Sequence, residues 1–302
     1  MNLGWRVLDC SQLDGRLRYE RGVMKVLDRE GSELITAPLS QIAIVLIGVQ
    51  SSISGALIAK FGEYDIALLV CDWRQEPVAG AMPWHDHSRI GARQVAQARL
   101  SAPRAKQAWK AIVKAKIAGQ SCCLSSVRGI SPISERLGEL VGQVKSGDRS
   151  NAEGQAARIY WPAITEDPTF RRTPQCSDRG WNMYLNYGYT LLRGHGIRAV
   201  TAAGLCGTLG IFHHHRENAF ALVDDLIEPF RPLIDYHIFS SFDELCELDR
   251  DSKKIIINCF DKPFNGNGKS LVTMLEEFAH HYGAYVEDKI ERLVVPRWEG
   301  RR

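Results

Sequence analysis

Between residues 82 and 87 the hydrophobic pattern changes period, and that change limits the fold of this chain more than any single motif. Before it, apolar residues come in short runs bounded by turn residues such as Asp14-Gly15 and Glu30-Gly31. Trp5 to Leu8, Arg16 to Tyr19 and Gly22 to Leu27 read as strands, and Ile42 to Ile47 and Ile66 to Cys71 as buried ones. Ser51 to Gly62 is the exception, a short helix with Ile53, Leu57, Ile58 and Phe61 on one face. After the change the segments are longer and helical. Arg89 to Leu100 is one. Ser101 then caps a second, with Pro103 in its first turn and Trp109, Ile112, Val113 and Ile117 at helical spacing. Ser131 to Val144, Asn182 to Leu192 and Leu271 to Val286 follow, and Ile255 to Phe260 is a buried segment of either type. The predicted fold class is α+β with two domains: a small β-rich N-terminal domain over 1–82, serving as scaffold and dimer surface, and a larger all-α C-terminal domain over 87–302.

Charge is informative only in its distribution. The net charge is +3, too small to argue for a polyanionic partner. Yet from His87 to Ser134 there is no Asp or Glu, while nine Lys and Arg occur. Within this block Lys106, Lys110 and Lys114 fall four apart on one helical face, a ladder that matches successive phosphates. The plainer alternative is a solvated lysine face. The apolar runs are too short to span a bilayer, and the N-terminus lacks a charged-then-apolar leader pattern, so a cytoplasmic protein without a membrane partner is expected. Eight cysteines form no C-x-x-C pair, and buried reduced thiols are the expectation.

The chemistry concentrates between Gly204 and Pro232. A glycine-punctuated run leads into His213, His214 and His215, then into a helix-like segment with Asp224, Asp225 and Glu228. Carboxylates with an imidazole suit a divalent cation, Mg²⁺ or Mn²⁺, and the imidazole moves the preference towards Mn²⁺. Cysteine is absent from this set, which argues against structural zinc. On a helix Asp225 and Glu228 share a face, among Phe220, Leu222, Val223, Leu226 and Ile227. Two readings stand: buried acids compensated by a cation, or a surface helix with Arg216 and Arg231 as neighbours. Pro229 and Pro232 are expected to interrupt the helix, and Arg231 to pair with a carboxylate or a phosphate. Upstream, Ser150-Asn151-Ala152-Glu153 has the form of a capping box in which Glu153 reaches back to the cap amide. Against that, Glu153, Ala157 and Tyr160 share a face, which turns the carboxylate inward. Asn182 and Asn186 are read as structural hydrogen-bonders, His195 as a surface histidine and 296–302 as a mobile basic tail.

His213 followed by Leu222-Val223-Asp224-Asp225-Leu226-Ile227-Glu228-Pro229-Phe230-Arg231-Pro232 resembles the signature of the CRISPR-associated spacer-acquisition integrases, with details similar to their type II branch. Ser150 to Gly154, Leu185 to Tyr189 and Pro38-Leu39-Ser40 extend the resemblance over most of the chain. It implies a metal-dependent DNA endonuclease and integrase in which a 3′-hydroxyl attacks a phosphodiester of a CRISPR repeat. It further implies Glu153, His213 and Glu228 as metal ligands and catalytic groups, with Asp225 a fourth ligand or a support for them. The implied partners are double-stranded DNA, a second copy of the chain in a homodimer, and a small ferredoxin-like CRISPR adaptation subunit. Two other classes remain: a DNA-binding structural subunit with a vestigial cation site, and a metal hydrolase of small phosphate esters.

Overall fold

The computed structural model describes residues 6–73, 77–81, 89–173, 180–242 and 248–300. The chain divides into two compact units, Met1–Asp86 and His87–Arg302. The expected break at 82–87, Trp5 of the first strand and Cys176 and Cys246 lie outside the described residues.

The first unit holds two four-stranded sheets. One contains β1 (Arg6–Cys10), β5 (Ile42–Ile47), β7 (Ala67–Cys71) and β8 (Pro77–Ala81), in the order β1-β5-β7-β8. Its first three strands are parallel and β8 closes the edge antiparallel. All six residues of β5 are buried, as a fully apolar strand in the middle of a parallel sheet requires. The other contains β2 (Gly15–Glu20), β3 (Val23–Asp28), β4 (Glu33–Pro38) and β6 (Ser51–Ile53), in the order β4-β3-β2-β6. Helix α1 (Gly55–Glu63) starts on Ser54, whose hydroxyl accepts from Leu57 N. Its Leu57 and Phe61 join Leu17, Met24, Leu39, Ile42 and Val45 in one core.

The second unit is helical. Its elements are α2 (Ile90–Ala98), α3 (Ala102–Arg128), α4 (Pro132–Gln143), α5 (Ala152–Thr165), α6 (Trp181–Ala202), α7 (Ala221–Leu226), α8 (Arg231–Ser241), α9 (Arg250–Asn258) and α10 (Leu271–Val286). The segment of undecided type, Ile255 to Phe260, ends α9 and enters a 3₁₀ turn. The 27-residue α3 is the spine, and its predicted inner face holds: Trp109, Ile112, Val113 and Ile117 are all buried. Gly119 lets it approach the start of α8. A Cβ there would lie 2.9 Å from Pro232 Cγ, too close for any other residue without a shift. That contact brings the preceding turn of α3 against the segment containing Glu228.

The expected interruption at Pro229 and Pro232 is present: α7 ends at Leu226, a 3₁₀ turn covers Glu228–Phe230, and α8 starts anew at Arg231, with each proline at a first-turn position where no amide partner is needed. Three expectations are corrected. The helix begun at Trp181 continues to Ala202, which carries His195 into the core at 1% exposure rather than onto the surface. Asn182 does bond, to Thr173 N and Arg171 O, whereas Asn186 Oδ1 is buried without a donor among the described residues. The tail is anchored through residue 300: Trp298 is 3% exposed against Tyr236, with 301–302 outside the described residues.

Candidate active site

The N-terminus of α5 settles how Glu153 is used locally. No capping box forms at Ser150, whose hydroxyl bonds Gln143 O instead. The N-cap is Asn151, in the left-handed region at φ 50°, and its side chain accepts from Gly154 N. Asp148 takes the two preceding amides, with Ala152 N 2.8 Å from Oδ1 and Glu153 N 3.0 Å from Oδ2. A short polar side chain tolerates this strained backbone, and a carboxylate complements the helix dipole there. With every early amide served by others, the Glu153 carboxylate is free to turn inward, where its Oε1 accepts from Lys116 Nζ at 2.6 Å.

The loop before α7 is folded around Asp225. This carboxylate is fully buried, and its Oδ2 accepts from Ile211 N at 2.5 Å and Phe212 N at 2.9 Å. Its Oδ1 accepts from His213 N at 3.4 Å and lies 2.6 Å from His213 Nδ1. Gly210 makes the turn: a Cβ there would sit 2.3 Å from His213 O. With both oxygens occupied, Asp225 is a support for His213 rather than a further ligand. The Nδ1 contact leaves Nε2 as the ring atom for a metal, the usual division of labour in a carboxylate–histidine–metal array. The Asp225 hydrogen bond raises the imidazole pKa, burial opposes it, and the charges of Asp225, Glu228 and Glu153 add to the rise. Trp109 closes the other side, stacked on half-exposed Phe212 at 4.4 Å and edge-on to His213 at 5.7 Å. Asp224 leaves the candidate set. It pairs with Arg193 at 2.8 Å and accepts from Asn218 at 2.7 Å. His214 and His215 are exposed.

Glu228 is 3% exposed. Its Oε1 pairs with Arg231 at 3.1 Å, and its Oε2 lies 2.6 Å from Lys116 Nζ. The same ammonium therefore touches Glu153 and Glu228, residues 75 apart in sequence, and brings their oxygens within the span of one cation. Burial acts most strongly on both groups and opposes charge, but Lys116 is still raised by Glu228 and Glu153, and Glu228 lowered by Arg231 and Lys116. Lys116 lies in the acid-free block yet reads as one more surface lysine. Its position two residues beyond the 106–110–114 ladder, on the apolar side of α3, was the signal.

The residues fit a divalent cation in donor type. Glu228 Oε2 is buried, and its contact with Lys116 lacks hydrogen-bond angles, so this oxygen has no hydrogen-bond donor among the described residues. A second carboxylate, that of Glu153, shares the Lys116 ammonium with it. Among the described residues no three His, Cys, Asp or Glu side chains are grouped so as to hold an ion, and an ammonium stands between the two glutamates.

The basic ladder divides. Lys110 and Lys114 line a groove with Arg104, Gln107, Tyr285 and Arg292. Lys106 instead packs on the turn at Gly147, 3.0 Å from where a Cβ would be. Arg231, expected at a carboxylate or a phosphate, is held by Glu228 and lies over the Tyr189 ring at 4.6 Å.

The comparisons with known proteins identify the family. Residues 11–251 match the family model described as CRISPR associated protein Cas1. A CRISPR-associated endonuclease Cas1 of Neisseria meningitidis is 32% identical over 241 residues, 80% of this chain and 77% of the relative. One from Pyrobaculum aerophilum is 27% identical, over 72% and 76%. The fold is shared with a casposase bound to an integration product, at a TM-score of 0.76 and 16% identity over 99% of this chain and 95% of the other. It is also shared with a Cas1 protein from Thermotoga maritima, at 0.75 and 15% over 94% and 97%. The family model covers well over half of the sequence, and the chain belongs to the Cas1 family of CRISPR-associated proteins.

Proposed function

We propose that this protein is a metal-dependent DNA endonuclease and integrase that inserts short DNA fragments into a CRISPR repeat. The observation that carries the reading is the shared contact of Glu153 and Glu228 with Lys116 in a Cas1-family chain whose His213 is held by the buried Asp225. Glu153, Glu228 and Nε2 of His213 would hold the ion, Mg²⁺ or Mn²⁺ by donor type. When bound, it would supply a lowered pKa for the attacking oxygen and neutralise charge on the phosphate. The chain's own part is to keep those donors in place. Asp225 fixes the ring that presents Nε2, Arg231 anchors one oxygen of Glu228, and Asp148 fixes the helix end that carries Glu153.

The groove lined by Lys110, Lys114, Arg104 and Arg292 offers a duplex or strand backbone a row of cations. This favours a DNA polymer over a small phosphate ester as substrate. Solved structures of the same fold include a Cas1–DNA complex and a Cas6-RT-Cas1–Cas2 complex. The resemblance seen in the sequence supplies the rest of the proposed assembly, a homodimer joined to a small ferredoxin-like adaptation subunit, acting on repeat DNA in the cytoplasm.

The test is an integration assay on a repeat-bearing plasmid with Mg²⁺, Mn²⁺ or chelator. Glu153→Ala and Glu228→Ala should abolish strand transfer while DNA binding persists. Strand transfer that survives both substitutions would overturn the site assignment, and a wild type that binds DNA but transfers no strand with any metal would leave a structural DNA-binding subunit as the better account.

A further inference from the structure

Lys116 is the one group at this centre that the metal reading leaves without a task. It is not a stray surface residue: its side chain is 14% exposed and rises from the buried side of α3. It reaches Glu153 Oε1 and Glu228 Oε2 at 2.6 Å each. The contact at Gly119 and Pro232 fixes that stretch of α3 against the Glu228 segment. Arg231 occupies the other oxygen of Glu228. The ammonium therefore stands where a cation shared by these two carboxylates must stand. Without it the buried Glu228 and the partly exposed Glu153 would repel each other across the gap.

We propose that Lys116 is the resident counter-cation of the site, and that a divalent ion binds by exchanging with its ammonium between Glu153 and Glu228. This rests on the metal reading of the site given above. A divalent ion bound to both oxygens at about 2.1 Å leaves no room for an ammonium in the same gap and repels it. Loading is then a substitution: Lys116 holds the carboxylates in register while the site is free of metal, swings out when the ion enters, and weakens metal affinity by competing for the same oxygens.

The test uses the full-length wild-type protein and Mn²⁺ as the probe. Reductive methylation of lysines, read by mass spectrometry, compares Lys116 with Lys110 and Lys114 in chelator and in saturating Mn²⁺. Lys116 should be protected in chelator and modified on Mn²⁺ addition, with the two groove lysines unchanged. In parallel, Mn²⁺ binding is measured by electron paramagnetic resonance on wild type, Glu228→Ala and Lys116→Met. Lys116→Met should bind Mn²⁺ at least about tenfold more tightly, because a competing charge is gone, and should melt at a lower temperature in chelator than in Mn²⁺ by a wider margin than wild type. If Mn²⁺ binds wild type but not Glu228→Ala, and Lys116 stays protected, the exchange is wrong while the metal site stands. If wild type binds no Mn²⁺, both readings fail. Because the labelling is done on wild type, poor folding of Lys116→Met would not rescue the idea.

Discussion

Asp225 Oδ1 lies 2.6 Å from His213 Nδ1, and this contact engages one ring nitrogen and leaves Nε2 for a ligand. The aspartate is held in turn by three backbone amides of the loop it orients. Asp225→Asn would put an amide donor or a weaker acceptor against Nδ1 and lose ring orientation. Mn²⁺ affinity should drop by about 10–100-fold, as for other groups that steady a metal-binding histidine. Titration of Mn²⁺ into the purified variant checks it, and unchanged affinity would show that the contact is only structural.

Asp148 serves the two amides that open α5, the second of them belonging to Glu153 itself. Asp148→Ala should lower stability by about 1–2 kcal/mol, the usual loss for a cap, in urea unfolding. Strand transfer should fall by more than that loss of fold accounts for, because Glu153 then sits on a frayed turn. Asn151→Gly, which relieves a left-handed residue while giving up one capping bond, should change stability much less.

The ladder lysines should separate in DNA binding. Lys110→Glu and Lys114→Glu, in the groove, should each weaken binding and reduce the slope of log affinity against log salt by about 1. Lys106→Glu, packed at Gly147, should do less. Fluorescence anisotropy at two or three salt concentrations distinguishes them. Equal losses at all three positions would restore the uniform ladder that spacing suggested.

Two buried groups pull stability in opposite directions below neutral pH. His195 is stacked on Phe260 without a hydrogen-bond partner among the described residues, and burial, helped by Arg198, lowers its pKa from 6.5 to about 3. Below pH 6.5 the unfolded chain takes up a proton that the folded chain refuses, so this residue makes stability fall as pH drops. Asp235, bonded by Tyr189 and Tyr160, is raised by burial from 3.8 to about 6 against the pull of those bonds and of Arg172 and Arg231. The folded chain holds its proton between those values and the unfolded chain does not, so this residue makes stability rise as pH drops towards 4. His195→Phe should remove the first slope, leaving stability rising from pH 6 to 4 relative to wild type, by up to about 1.4 kcal/mol per pH unit. Asp235→Asn should steepen the acid loss. Thermal melts at pH 4, 5 and 6 read both.

What the sequence revealed follows what repeats or has a fixed spacing. Ile42–Ile47 announced a central strand because all six residues are apolar, and Leu271–Val286 announced its helix because its buried face recurs at 3.6. Strand β4 was not visible: Glu33-Leu34-Ile35-Thr36-Ala37-Pro38 lies at a sheet edge with half its side chains in solvent, and pairing with β3 holds it. β8, with Ala79, Gly80 and Ala81, has no strand propensity of its own and is templated by β7. At the site, His213 and Glu228 were legible as chemistry-bearing residues, and Glu153 only through its resemblance. Lys116 was not, because a lysine on a helix carries no mark of which way it points; only the packing of α3 on the Glu228 segment turns it inward. The anchored tail was missed for a similar reason: one tryptophan buried at Tyr236 outweighs the basic residues around it.

The centre draws its groups from Lys116, Glu153, His213 and Glu228, on four stretches of chain that meet only through tertiary packing. No fragment emerging early from the ribosome contains them all, and none can hold them together before α3 and α8 have docked. The site is thus a property of the finished helical unit and of no shorter piece of it.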